Sequence, residues 1–508
     1  MYADIIIKNG RCVTMCGDGG ADWVAAAGKM ICAAGRGDDW QKLVRPGTQV
    51  IDARGGTVLP GFIDNHFHVM QTAVNMMSVD LGGARSHREL GEMLAAAEKR
   101  EGAVLGCQVE ESQFEEKRFP DRYVLDRYCS DSPVVLFSKE YHVSMLNTHA
   151  LLYYKVPFSL EGVELDSSGL PTGIFRRNAN YVLRSNVLRS LPDEFRMEAI
   201  HLAMSRLLEN GITTVAAIEG GWLFDDRDAE FIYAHSGEFP VDMPLFYQTM
   251  DLAKVWKLGL RRVGGNIMVD GTLSSHSAAL SAPYADRPDY RGQIFLPQDG
   301  LDEFVQQCYR QDMQLALYSI GDRAIESVLL AHERAIRQGG STALRHRIEH
   351  AIMATPEQIA RAADMKLIFS VQPAYAYLWG GKGGMYERRM GERYLRSNDF
   401  AAMFAAGAVV CGGSDSDVTE PRPMLGIHAA VNRAVPQCAV SVEQAIEMYT
   451  VNGAYALFED KRKGKLAPGY LADIVVLDRD IRAVPAEQLE QTDVTVTIKS
   501  GSVLHSRQ

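Results

Sequence analysis

Two histidines one residue apart close the run Val58-Leu59-Pro60-Gly61-Phe62-Ile63-Asp64-Asn65-His66-Phe67-His68. In a β-strand, residues i and i+2 share a face, so His66 and His68 project together from the end of one strand. Paired imidazoles of this kind are ligands for a divalent metal. A lone His-x-His is a weak signal, because two ordinary surface or core histidines fit it equally. The apolar strand and the Pro-Gly entry ahead of it raise its value. Other residues able to do chemistry stand after other apolar runs. Asp270 follows Asn266-Ile267-Met268-Val269, and Tyr318 lies near the end of 314–319. His350 follows Arg347-Ile348-Glu349, and Asp415 follows Val409-Val410-Cys411-Gly412-Gly413-Ser414. Each alone reads as well as a satisfied core histidine, an Asx turn or a helix N-cap. Their recurrence after successive apolar runs is what those readings leave unexplained.

The elements that must position them alternate along the chain. Candidate strands are 58–64, 133–139, 212–218, 244–250, 266–270, 314–319, 346–349, 366–371 and 408–411. Helical patterns separate many of them, at 194–208, 324–338, 356–363 and 442–449. Strands alternating with helices imply parallel βαβ units. Nine candidates for eight places fit a (β/α)8 barrel with one extra strand, whose active site sits at the C-terminal ends of its strands. A doubly wound open sheet competes, but no Gly-x-Gly-x-x-Gly follows an early strand, which counts against a dinucleotide-binding version. The stretch from about 85 to 205 is too long for one βα connection and reads as an insertion, with the charged run Glu110–Arg118 on a solvated face. The two ends echo each other: Ala3-Asp4-Ile5-Ile6-Ile7 and Ala472-Asp473-Ile474-Val475-Val476. Neither makes a good sheet alone, so the expectation is one small β-sandwich from 1–57 and 460–508 and a barrel from 58–459.

With 508 residues the chain exceeds one ordinary core. Its apolar and charged fractions are those of a globular protein. It has no apolar run of about 18 residues and no basic, apolar leader at its start, so no membrane span or signal peptide is expected. A net charge of −11 argues against a general nucleic-acid binder. The eight cysteines are scattered without a Cys-x-x-Cys pair and are expected to be reduced packing residues in a cytoplasmic protein.

The chain resembles the amidohydrolase superfamily, in its amidohydrolase-3 (YtcJ-like, N-substituted formamide deformylase-like) branch. The resemblance is carried by Leu59–His68, Asp270-Gly271-Thr272-Leu273, Ile320-Gly321-Asp322-Arg323-Ala324, Arg347-Ile348-Glu349-His350-Ala351, Gly413-Ser414-Asp415 and the closing 469–478. It runs nearly end to end, in family order, and implies a TIM barrel with a composite β-sandwich. It implies His66, His68, His350 and Asp415 as metal ligands, with Asp415 also moving the proton. It places His142 and Asn147, in Tyr141-His142-Val143-Ser144-Met145-Leu146-Asn147, near the substrate; hydrogen bonding within the insertion accounts for both as well.

Departures from the pattern carry information. Members with two metals bridge them with a carboxylated lysine four residues before the Asp-Gly, where this chain has Asn266, which cannot form a carbamate. The branch has a histidine where Tyr318 stands, and often an arginine where His276 stands. The expectation is therefore one divalent metal per chain, zinc in the first instance, with positions left open for water and substrate. His350 is either a further ligand or a group that polarises the substrate. Tyr318 either hydrogen-bonds an oxyanion or ligates as a phenolate. His276 either replaces a lost ligand near the substrate or is a loop histidine facing solvent. After the seventh strand, Gln372–Gly381 sets aromatic residues, Trp379 among them, at the rim, where they suit a flat ligand or simply pack a loop. The expected function is hydrolysis of an amide or related C–N bond of a small molecule. A lyase or decarboxylase on the same barrel ranks second and a non-catalytic binding relative third. A homodimer is the default oligomer.

Overall fold

The computed structural model describes residues 2–17, 20–100, 102–139, 141, 143–221 and 225–507. Eight parallel strands form the central sheet: β1 (Phe62–Phe67), β2 (Ile212–Glu219), β3 (Leu245–Tyr247), β4 (Arg262–Met268), β5 (Gln314–Ser319), β6 (Arg347–His350), β7 (Ile368–Val371) and β8 (Val410–Gly412), paired in that order. The sheet closes through the residues just past β8. Asp415 N donates to His66 O, and His68 N to Ser416 O, both at 2.9 Å. Three candidate ligands thus sit on the seam that shuts the barrel. The seam is tight: a side chain at Gly413 would come within 2.6 Å of the His66 backbone nitrogen.

The ninth run, 133–139, forms a strand (Val134–Ser138) outside the barrel, in a separate six-stranded sheet spanning Val79 to Arg176. Both faces of this run are buried, as in a barrel strand, so its pattern is the same in either sheet. Helix Asp193–Glu209 packs on helix Val69–Met76 and on β2, so the chain has returned to the barrel well before residue 205. β4 begins at Arg262, ahead of the expected 266, because Gly264 and Gly265 (φ 90° and 104°) do not break the strand. They form a bulge in its pairing with β5, and a Cβ on Gly264 would lie 2.1 Å from Ala316 O. The helix after β5 starts at Asp322, two residues ahead of the expected 324, and the helix after β6 starts at Pro356 as expected, with a Thr355/Gln358 capping box.

Strands from both chain ends make two further sheets. One pairs Met30–Gly35, Trp23–Ala27, Ile5–Lys8 and Gln49–Asp52; the other pairs Arg11–Cys12, Thr57–Pro60, Ile474–Leu477, Val494–Lys499 and Ser502–Ser506. Ile5, Ile7, Val24, Val58, Ile474 and Ile498 share one buried core. Each such side chain contributes roughly 2 kcal/mol. A charged cluster ties this unit to the N-terminal end of the barrel. Lys463 Nζ reaches Thr214 Oγ1 at 2.6 Å, Asp473 at 3.2 Å and also Asp242. Lys499 Nζ reaches Asp242 at 2.9 Å and Asp473 at 3.2 Å. Among the described residues no helix is long and apolar enough to cross a membrane.

Candidate metal centre

At the C-terminal end of the barrel, His66, His68 and Asp415 bring one ligand atom each to within 4.8 Å of one another, all buried. Asp415 Oδ1 lies 3.4 Å from His66 Nε2 and 3.1 Å from His68 Nε2. The far nitrogen of each ring is occupied. His66 Nδ1 donates to Glu349 Oε2 at 2.6 Å, and His68 Nδ1 donates to Ile218 O at 3.1 Å. Carboxylates and carbonyls only accept, so the protons sit on Nδ1 and both Nε2 lone pairs turn toward Asp415. His66 Nε2 is buried without a hydrogen-bond partner among the described residues.

Lone pairs and a carboxylate facing each other in a dry site need a cation between them. Burial disfavours charge on His68, yet Asp415, with Asp417 and Glu219 behind it, outweighs burial and pushes the imidazole up to about 9. Burial would raise Asp415, but His66, His68 and His350 hold it well below the usual carboxylate range. A proton meets this demand, and so does a divalent ion, for which two imidazoles and a carboxylate are a ready donor set.

Behind His66, the barrel interior supplies a brace. Arg347 Nε and Nη2 grip Glu349 at 2.7 and 2.9 Å, and Nη2 also donates to Asn65 O at 2.6 Å and Ser370 Oγ at 2.9 Å. Burial opposes the Glu349 charge, but Arg347 and His66 overcome it and bring the carboxyl down to about 2. This carboxylate fixes the His66 tautomer, as outer groups do around bound metals.

Strand alternation would send His350 to the face opposite Glu349. Left-handed backbone at His350 and Ala351 (φ 69° and 47°) breaks the alternation, and Asp415 is left-handed as well (φ 52°). Such strain in non-glycine residues concentrates at working sites. The His350 ring lies 5.0 Å from that of His66, and its Nδ1 donates to Gln372 Oε1 at 2.6 Å. Its buried Nε2 has no partner among the described residues. Burial, partly offset by Asp415, lowers His350 to about 4, so the ring is neutral.

His68, His350 and Asp415 floor a cavity of about 150 Å³ walled mainly by aromatic and apolar side chains, among them Tyr181, Tyr318, Ile352, Tyr375, Trp379 and Tyr386. Tyr318 packs edge-on to His350 at 4.4 Å. Burial, with Asp270 and Asp415 nearby, raises its phenol well above the ordinary value, which makes it a neutral donor and not a phenolate. Arg184, from the inserted segment, lines the cavity with Asp417 at 3.7 Å.

A family model described as the amidohydrolase family matches residues 49–505. The chain belongs to the amidohydrolase family. This amidohydrolase is 27% identical to the Bacillus subtilis (strain 168) protein YtcJ, over 92% of each chain. It is 26% identical to N-substituted formamide deformylase of Arthrobacter pascens, over 96% of this chain and 95% of that one. A crystal structure of an uncharacterized metal-dependent hydrolase from Pyrococcus furiosus superposes with a TM-score of 0.79 at 25% identity, covering 94% of this chain and 99% of that one.

Within this amidohydrolase, the expected site residues divide. His66, His68 and Asp415 meet; His350 stands beside them, outside the 4.8 Å set. Tyr318 and Trp379 line the cavity, as does Asn266. Two expected substrate contacts are corrected. Asn147 caps helix Thr148–Tyr154, where its oxygen accepts from Ala150 N and Val134 N, and its nitrogen donates to Cys129 O and Ser132 O, all within 3.0 Å. Those four bonds use its whole amide. His276 turns from the cavity to Asp286 Oδ1 at 3.1 Å and packs on Tyr284. His142 lies outside the described residues. Asp270 proves to be a brace: its carboxylate accepts from Ile320 N, Gly321 N and Ala279 N at 2.8–2.9 Å.

Several residues of the site had no role assigned in the sequence, among them Arg347, Glu349 and Gln372. Arg347 and Glu349 had a legible signal, since opposite charges two apart on an apolar strand share one face. Gln372 had a weaker one, a polar residue just after β7 and before Pro373, while Tyr375 belongs to the rim aromatics already noted in 372–381.

Proposed function

We propose that this amidohydrolase cleaves an amide or related C–N bond of a small molecule, using one divalent metal held by His66, His68 and Asp415, with His350 as a further donor. One observation carries the reading: imidazoles whose Nδ1 positions are tied back present Nε2 lone pairs to a single ionised carboxylate at the floor of an aromatic cavity. When bound, the metal supplies Lewis-acid polarisation and a water of lowered pKa, and zinc is the first candidate. The chain's own groups do the rest. The apolar walls exclude bulk water and hold a flat apolar part of the substrate. Asp415, ionised and buried, accepts a proton from the attacking water and supplies it to the leaving nitrogen. The neutral Tyr318 phenol donates to the developing oxyanion. His350, its proton committed to Gln372, offers a lone pair and so acts as a donor atom to a cation, not as an oxyanion donor.

The test is hydrolysis of a panel of N-aryl and N-alkyl formamides and acetamides by zinc-loaded protein in ¹⁸O-labelled water. The reading expects amine and acid as products, one labelled oxygen in the acid, and loss of turnover in Asp415→Asn. Product without label, or undiminished turnover in that variant, contradicts it.

A further inference from the structure

The surroundings of Asp415 offer its proton a route to the leaving nitrogen. Oδ1 faces the two imidazoles, at 3.4 and 3.1 Å. Oδ2 is occupied on another side, accepting from the Tyr375 hydroxyl at 2.6 Å. A bond of that length between a phenol and a carboxylate is charge-assisted and short. Tyr375 and Asp415 both line the cavity, so the bonded hydroxyl and carboxylate border the space where substrate binds.

Tyr375 is held from several directions. Its ring runs parallel to that of His350 (11°, centroids 6.2 Å apart) and edge-on to Trp379 at 4.7 Å. Its backbone nitrogen donates to Gln372 O at 3.1 Å, and Gln372 is the residue whose Oε1 holds His350 Nδ1. Pro373 begins helix Pro373–Trp379, with its fixed φ suited to that position. One helical turn after β7 therefore braces His350 through Gln372 and meets Asp415 through Tyr375.

We propose that Tyr375 is the proton donor to the leaving nitrogen, passing on the proton that Asp415 takes from water. This rests on the hydrolase reading above. In the first half, a water O–H bond breaks, its proton goes to Asp415 Oδ2, and the oxygen forms a bond to the substrate carbonyl carbon. In the second half, the C–N bond breaks and its electron pair stays on nitrogen. The Tyr375 O–H bond breaks as its hydrogen bonds to that nitrogen, and the Asp415 proton moves to the Tyr375 oxygen. The carboxylate and phenol return to their starting states, with no net gain or loss of electrons.

A donor to the leaving group matters most when that group leaves poorly. The experiment compares acetanilide with 4-nitroacetanilide, and formanilide with 4-nitroformanilide, in wild type and Tyr375→Phe. Metal per chain and thermal midpoint are measured on both proteins. The relay predicts that Tyr375→Phe keeps its metal and its Tm but loses on the order of 10²-fold in kcat on the unsubstituted anilides. The loss is expected to be under about tenfold on the nitro compounds, whose amine needs little help to leave. Equal losses on both members of a pair, or loss of the metal, overturn the relay and leave Tyr375 as a group that positions Asp415. Should Tyr375→Phe fail to fold, replacing Tyr375 with 3-fluorotyrosine, whose hydroxyl is more acidic, is expected to flatten the dependence of kcat on leaving-group basicity; an unchanged dependence overturns the relay. Wild type inactive on all four amides brings down the hydrolase reading and the relay with it. Wild type active with parallel losses removes the relay alone.

Discussion

Two charged clusters sit at opposite ends of the barrel, and they are built differently. At the N-terminal end, Lys463, Lys499, Asp242 and Asp473 pair with one another, and Lys463 also reaches Thr214. The C-terminal cluster leaves His66 Nε2 and His350 Nε2 buried without hydrogen-bond partners among the described residues and keeps His350 and Asp415 in left-handed backbone. A cluster whose charges close on themselves joins two parts of a fold. One left open at the floor of a cavity, with strain nearby, is poised for something that arrives later. The contrast assigns stability to the lower cluster and chemistry to the upper one, as barrels commonly divide their two faces.

That division can be broken by mutation. The largest expected effect is Asp415→Asn, which removes the proton acceptor while keeping shape; kcat falls on the order of 10²–10⁴-fold, with a far-ultraviolet circular dichroism spectrum like that of wild type. Lys463→Met is its mirror image. It leaves Asp473 and Asp242 to Lys499 alone and lowers unfolding free energy by up to about 3–5 kcal/mol, read by denaturant titration, while kcat per folded molecule stays within twofold or so. If Lys463→Met instead abolishes turnover in protein that remains folded, the division of labour fails. Glu349→Gln sharpens the comparison from within the upper cluster. The amide can no longer anchor His66 as an ionised acceptor, and metal affinity measured by chelator competition weakens about 10–100-fold.

The smallest effect is a pH dependence of stability. Burial lowers His332 from 6.5 to about 3 and His350 from 6.5 to about 4, and puts His346 well below 6.5. The folded state favours the neutral rings. Their contribution is fully present above about pH 6.5, the unfolded value, and is lost as the unfolded chain takes up protons below it. Burial also raises Asp64, Glu219 and Asp270 to about 6, 8 and 7, which favours the folded state as pH drops, so the histidine share is read as the difference in the Tm–pH slope between wild type and His332→Phe from pH 6.5 toward 4. Relative to wild type, His332→Phe is expected to gain in Tm as pH drops through this window; an equal slope would show that His332 contributes nothing to it.

Much of this was legible in the sequence, and the gaps have physical causes. His66 and His68 were readable because two residues apart on a strand means one face. Asp415 was readable because it ends an apolar run near the end of the barrel. The strand at Val134–Ser138 carried the same buried pattern as a barrel strand, so periodicity could not place it in the inserted sheet. The start of β4 was set four residues late, at 266, because the bulge at Gly264 and Gly265 draws on the same conformational freedom as a turn. Asn147 and His276 stayed open between two readings for one reason: nothing local records whether a polar side chain meets a ligand or the chain's own groups. The brace from Tyr375 to Asp415 spans 40 residues, and only the closed barrel brings its ends together.

The central claim is a single metal on the His66–His68–Asp415 set, and elemental analysis of wild type and the His66→Ala/His68→Ala double variant tests it most directly. After growth with added zinc or manganese and purification without chelator, the account predicts about one metal per wild-type chain and essentially none in the variant. Metal-free wild type, or a variant that keeps its metal, would contradict it.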